Sequence, residues 1–144
     1  PEEFSRRLTL VSETMLFGIQ PFLSDALAVA LNEQHPEVRR QRDVFRERAQ
    51  AMVATLGDSD AVSVHMPEGG MFVLADVRRT GLSGQDFAWR LLEEQAVVTM
   101  PGESFGARGA GHIRLALTVE TDVMVEACRR IRELAEHLVA ERAV

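Results

Sequence analysis

Residues 101–111, PGESFGARGAG, hold the densest chemical pattern in the chain. Gly102-Glu103-Ser104-Phe105-Gly106 fits G-x-S-x-G, which in hydrolases sets a nucleophilic serine on a sharp turn between a strand and a helix. Here the glycine-rich run continues past Ser104 and leads into HIRLALT (112–118), an alternating strand pattern, so no helix follows the serine. His112 follows too closely along that strand to fold back, and His137 lies far downstream in a helical pattern. Ser104 therefore reads as a loop residue whose hydroxyl serves local backbone groups. Gly106, Gly109 and Gly111 would cradle a phosphate only at a helix start. Before a strand, such glycines serve tight turns or a close approach of backbone to a ligand. His35, His65, His112 and His137 are scattered without metal-ligand spacing, and the single Cys128 excludes a cysteine-based metal site and an intrachain disulfide. No metal is expected.

Arg114 remains. It stands in mid-strand, with Ile113, Leu115 and Leu117 on one face and His112, Arg114 and Ala116 on the other. A guanidinium there is costly to bury unless it is paired, and its planar fork matches a carboxylate in bidentate fashion. Three readings stay open on these grounds: a salt bridge to an internal Asp or Glu, solvent exposure, or a grip on a bound carboxylate. The chain also lacks two residue types. It has no tyrosine, and all 16 basic residues are arginine, so no lysine can act as nucleophile, base or Schiff-base partner.

Periodicity gives the helices and strands around these residues. Residues 2–33 read as two helical pieces broken at Gly18 and Pro21, both rich in apolar residues and in need of a partner surface. Pro36 suits the first turn of a third helix, with Val38, Phe45, Ala49, Met52, Val53 and Leu56 on one face and Gly57 as its stop. AVSVH (61–65) is a weak strand and MFVLADV (71–77) a clear one. Ser83, with Asp86 three residues on, caps a helix that turns Phe87, Ala88, Leu91 and Leu92 inward. AVVTM (96–100) is a strand. A long final helix has Thr121 as cap, Met124, Ala127, Ile131, Leu134, Ala135 and Leu138 as its stripe, and Cys128 in the core. From residue 36 the order is helix, strand, strand, helix, strand, strand, helix. This predicts an α/β fold of two layers, a small mixed sheet of about four strands with helices packed on it.

A chain of 144 residues suits one domain, and its net charge of −6 argues against a nucleic-acid surface. The arginine-rich stretch VRRQRDVFRER (38–48) is interrupted by Asp43 and Glu47 and reads as a solvated helix face. No apolar run approaches the roughly 18 residues of a membrane span. The first residues do not read as a signal peptide, and a reducing cytoplasmic setting is the expectation.

The combined pattern resembles the C-terminal region of class I pyridoxal-phosphate aminotransferases of fold type I. The motifs are Gly69-Gly70-Met71-Phe72 at a strand start, the loop Pro101-Gly102-Glu103-Ser104-Phe105-Gly106, and His112-Ile113-Arg114-Leu115 in the strand that follows. MLFGIQPFLSDALAVAL (15–31) is similar to the family's helical stretch between its large and small domains, and GGMFVLADVRRTGLS (69–83) resembles the arginine–pyruvate transaminase type.

The resemblance implies a helical segment over 1–35 from the end of the large domain, and the small domain over 36–144. It implies that Arg114 grips the α-carboxylate of an amino-acid or 2-oxo-acid substrate, and that pyridoxal 5′-phosphate serves the intact enzyme, a cytoplasmic homodimer. The family's Schiff-base lysine is absent here, so no residue of this chain is expected to be catalytic, no cofactor is expected to stay bound to it, and transamination is expected only from a longer parent protein. The alternative is a freestanding α/β module that recognises a carboxylate through Arg114 without catalysis.

Overall fold

The computed structural model describes residues 1–16, 18–33 and 35–143. The chain divides into two compact units, Pro1–Arg39 and Arg40–Val144. The first contains α1 (Glu2–Leu16) and α2 (Pro21–Asn32), with Pro21 in the first turn of α2. Neither helix buries a residue, and Phe4, Leu8, Phe22 and Leu31 are all exposed. Among the described residues no single helix is long and apolar enough to cross a membrane.

In the second unit α3 (Pro36–Gly57), which begins in the first unit, supplies Ala49, Met52 and Leu56 to the core at helical spacing. The strands β1 (Ser63–Val64), β2 (Phe72–Asp76), β3 (Met100–Pro101) and β4 (His112–Ala116) form one sheet in the order β1-β2-β4-β3. The helix α4 (Gly84–Gln95) joins β2 to β3, and α5 (Thr121–Arg142) ends the fold. One face of the sheet, with Val73, Ala75, Ile113 and Leu115, is buried in a single cluster with Phe87 and Leu91 of α4 and Met124, Cys128, Ile131, Leu134 and Leu138 of α5.

The α/β class and the four strands agree with the sequence. The sheet, however, is antiparallel at every pairing rather than mixed. Strands β2 and β3 do run in the same direction, as a strand–helix–strand crossover requires, but β4 inserts between them and pairs antiparallel with both. Three smaller expectations also shift. Only Met100 and Pro101 of the AVVTM segment and its following loop join the ladder; Thr121 is the first helical residue of α5, and Glu120 takes the N-cap; Leu92 is 39% exposed. Ser83 caps α4 as expected, accepting from Asp86 N at 3.0 Å while its hydroxyl donates to Asp86 Oδ2 at 2.6 Å.

Arg48 ties α3 to the far end of β4. It is 9% exposed and donates to Leu117 O and to Glu120 Oε2, each at 3.0 Å. It thereby satisfies the carbonyl where the chain leaves the sheet and meets the acid at the head of α5.

Candidate functional site

The alternation in β4 sends Ile113 and Leu115 into the core and leaves His112, Arg114 and Ala116 on the open face. Register then sets the neighbours. Arg114 stands opposite Leu74 of β2 on one side and Met100 of β3 on the other. Phe72, paired with Ala116, is its diagonal neighbour, within reach of a long side chain. The Phe72 ring centroid lies 4.0 Å from Arg114 Cζ, and the Phe105 ring from the glycine-rich loop lies 4.5 Å from it. The guanidinium is thus held against two aromatic rings, a geometry favourable to a cation.

It makes no hydrogen bond or ion pair with any described residue. The two acids that flank it in sequence and register are engaged elsewhere. Asp76, on β2 beside His112, accepts from the N, Nε and Nη2 of Arg78 at 2.5–3.0 Å. Arg78 holds the Asp76 carboxyl below the usual aspartate range. Glu103 Oε1 accepts from Gly84 N and Gly111 N, each at 2.9 Å. Of the three readings the sequence leaves open for Arg114, the internal salt bridge is absent among the described residues.

The glycine-rich loop owes its shape to backbone packed on backbone. A Cβ at Gly102 would lie 2.1 Å from Gly109 O, and one at Gly109 would lie 2.0 Å from Gly102 O, so the two strands of the loop touch where side chains cannot fit. Gly111 has φ +71 and accepts from Val77 N at 2.9 Å, which turns the chain into β4 beside the end of β2. Gly102 and Gly109 therefore serve tight internal packing, whereas Gly106, at φ +106, where a Cβ would meet nothing within 4 Å, serves the turn. Ser104 is exposed in this loop, its hydroxyl makes no hydrogen bond with a described residue, and no histidine pairs with it. His112 uses Nδ1 on Ala110 O at 2.9 Å.

The chain matches the family model "Aminotransferase class I and II" over residues 1–131. The chain belongs to the class I and II aminotransferase family. Among curated proteins it is 40% identical over 141 residues to an arginine–pyruvate transaminase of Pseudomonas aeruginosa, covering 98% of this chain and 36% of that one. It is 35% identical over 124 residues to an LL-diaminopimelate aminotransferase of Maridesulfovibrio salexigens, covering 86% of this chain and 31% of that one. Among solved structures, a tyrosine aminotransferase from Leishmania infantum superposes with a TM-score of 0.72 at 28% identity, over 86% of this chain and 31% of that one. Apo-BacF of Bacillus subtilis shares the fold with a TM-score of 0.73 at 24% identity, over 92% and 34%. The chain spans about a third of the length of these relatives.

Family membership implies pyridoxal 5′-phosphate in the intact enzyme. This chain has no lysine, so its residues do not fit covalent attachment of that cofactor. What the chain does present is a cation, Arg114, without a counter-ion among the described residues. The sequence named Arg114 but missed its aromatic partners and the role of Glu103. The signal for Phe72 was its place on the open face of β2, which becomes adjacency to Arg114 only once the register is known.

Proposed function

We propose that this chain is the C-terminal part of an aminotransferase that moves an amino group from an amino acid to a 2-oxo acid. In this reading residues 1–35 lead from the large domain, and residues 36–144 form the small domain. The parent is a cytoplasmic homodimer, and the lysine-free chain is inactive alone. Arg114 receives the substrate's α-carboxylate. The observation that carries the reading is the guanidinium held within 4.0 Å of the Phe72 ring centroid and 4.5 Å of the Phe105 one, with no acid among the described residues paired to it. A bidentate carboxylate satisfies such a fork in its plane, and the nearby rings favour the cation that receives it. The clamp orients the substrate through charge and paired hydrogen bonds.

The 40% identity to an arginine–pyruvate transaminase makes arginine and pyruvate the first donor and acceptor to try. The test is amino transfer by the full-length natural protein supplied with pyridoxal 5′-phosphate, a panel of amino acids and pyruvate. Formation of alanine by wild type, and its loss by at least about a hundredfold in Arg114→Ala, is the expected result, since hydrogen bonds to a charged group contribute about 1.5–3 kcal/mol each. A full-length protein that transfers no amino group to any 2-oxo acid would sink the reading.

A further inference from the structure

We propose that Glu103 is a positioning residue for the Arg114 site, fixing the loop that carries Phe105 onto the guanidinium. Three segments meet at its carboxylate. Glu103 lies in the short turn Gly102–Phe105, two residues before the ring that faces Arg114. Its Oε1 accepts from Gly84 N, the first residue of α4, and from Gly111 N, the residue before β4. One oxygen thus joins the loop, the helix start and the strand that bears Arg114.

The helix favours an anion at this place. Gly84 N is one of the donors left over at the head of α4, and Ser83 caps Asp86 N instead. The fit is close, because a Cβ at Gly84 would lie 2.6 Å from Glu103 Oε2 and 2.1 Å from His112 O. Gly111 N, with a smaller contribution from Gly84 N, keeps the carboxyl below the usual glutamate range. Its second oxygen is buried without a partner in the protein, so the group does not turn to solvent. A glutamate held this way contributes no charge to bonding the substrate. Its effect passes through Phe105, whose loop has no other side-chain hydrogen bond to α4 among the described residues.

The functional consequence rests on the carboxylate reading of Arg114, whereas the positioning itself does not, and two measurements separate them. In the full-length protein, Glu103→Ala is expected to raise KM for the amino donor about tenfold, with a smaller fall in kcat. Glu103→Gln keeps an acceptor oxygen but loses the charge that roughly doubles hydrogen-bond strength, so its KM should lie between. Independently, in wild type the amide resonances of Gly84 and Gly111 should move together as acid protonates Glu103, with a midpoint below the usual glutamate range, and stay fixed in Glu103→Gln. Should Glu103→Ala fail to fold, Glu103→Gln and the amide titration decide. Amides that ignore Glu103, or variants with unchanged KM, overturn the proposal. Amides that respond in a protein without amino transfer uphold the positioning and overturn only the transaminase reading.

Discussion

Replacing Phe72 and Phe105 by leucine, singly and together, isolates what the aromatic rings do for Arg114. The ring centroids stand 4.0 and 4.5 Å from Cζ, inside the distance at which a ring face attracts a cation. Each stack at a half-exposed site contributes about 0.5–1 kcal/mol, so losing both removes about 1–2 kcal/mol of orientation. If that orientation serves carboxylate binding, affinity falls by roughly fivefold to thirtyfold in the double variant and by roughly twofold to fivefold in each single. Fold stability should change little, because Phe72 is 39% and Phe105 54% exposed and leucine retains most of the apolar contact. A change within about 1 kcal/mol is expected in urea unfolding. The assay is KM for the amino donor in the full-length enzyme, beside denaturation midpoints of the same variants. A double variant that binds donor as tightly as wild type would refute the stacking argument. So would a loss of affinity that merely tracks a loss of stability.

The fold yields three further expectations. Gly102→Ala drives a methyl group to within 2.1 Å of Gly109 O, so it should lower unfolding stability by about 1–3 kcal/mol, as backbone-crowding substitutions do, read from the shift in urea midpoint. Ala96 closes α4 in the left-handed region at φ +54, so Ala96→Gly should raise stability by about 1 kcal/mol or more in the same assay. Burial pushes the Cys128 thiol up to about 12, and the residue is 1% exposed. At pH 8 the folded chain should therefore resist a thiol reagent and react only at its unfolding rate, whereas rapid labelling would contradict the placement of Cys128 in the core.

Local patterns were legible where one face of an element carries the information. The alternation of Ile113, Leu115 and Leu117 against Arg114 gave the facing of β4, and the stripe from Met124 to Leu138 gave that of α5, with Cys128 buried more deeply than Ala127. The Ser83 cap was readable because its partner lies only three residues away. Other features depend on distant pairing. The antiparallel ladder follows from β4 inserting between β2 and β3, which no local spacing encodes. The extended segment after α4 looks like a whole strand by composition. Ala96 N, however, bonds Leu91 O and Leu92 O, and Val97 N bonds Leu91 O, so the chain stays tied to the helix end and joins the sheet only at Met100. At the site the same division holds. Arg114 stood out as a charge in a strand, but its stacking on Phe72 needs the register and its stacking on Phe105 needs the folded loop. With Asp76 and Glu103 committed to other donors, the guanidinium has no ion-pair partner among the described residues, and the Glu103 contacts span 19 and 8 residues.

If Arg114 binds a substrate carboxylate, the protein must tell an acid from its neutral amide. In the full-length protein the dissociation constants of a non-reacting amino-acid analogue and of its carboxamide are determined for wild type and Arg114→Ala. Wild type should prefer the acid by about a hundredfold, the equivalent of about 2.7 kcal/mol and within reach of two charge-assisted hydrogen bonds. Arg114→Ala should bind the two alike. A variant that still prefers the acid by the wild-type factor would contradict the account and move the carboxylate grip to another residue.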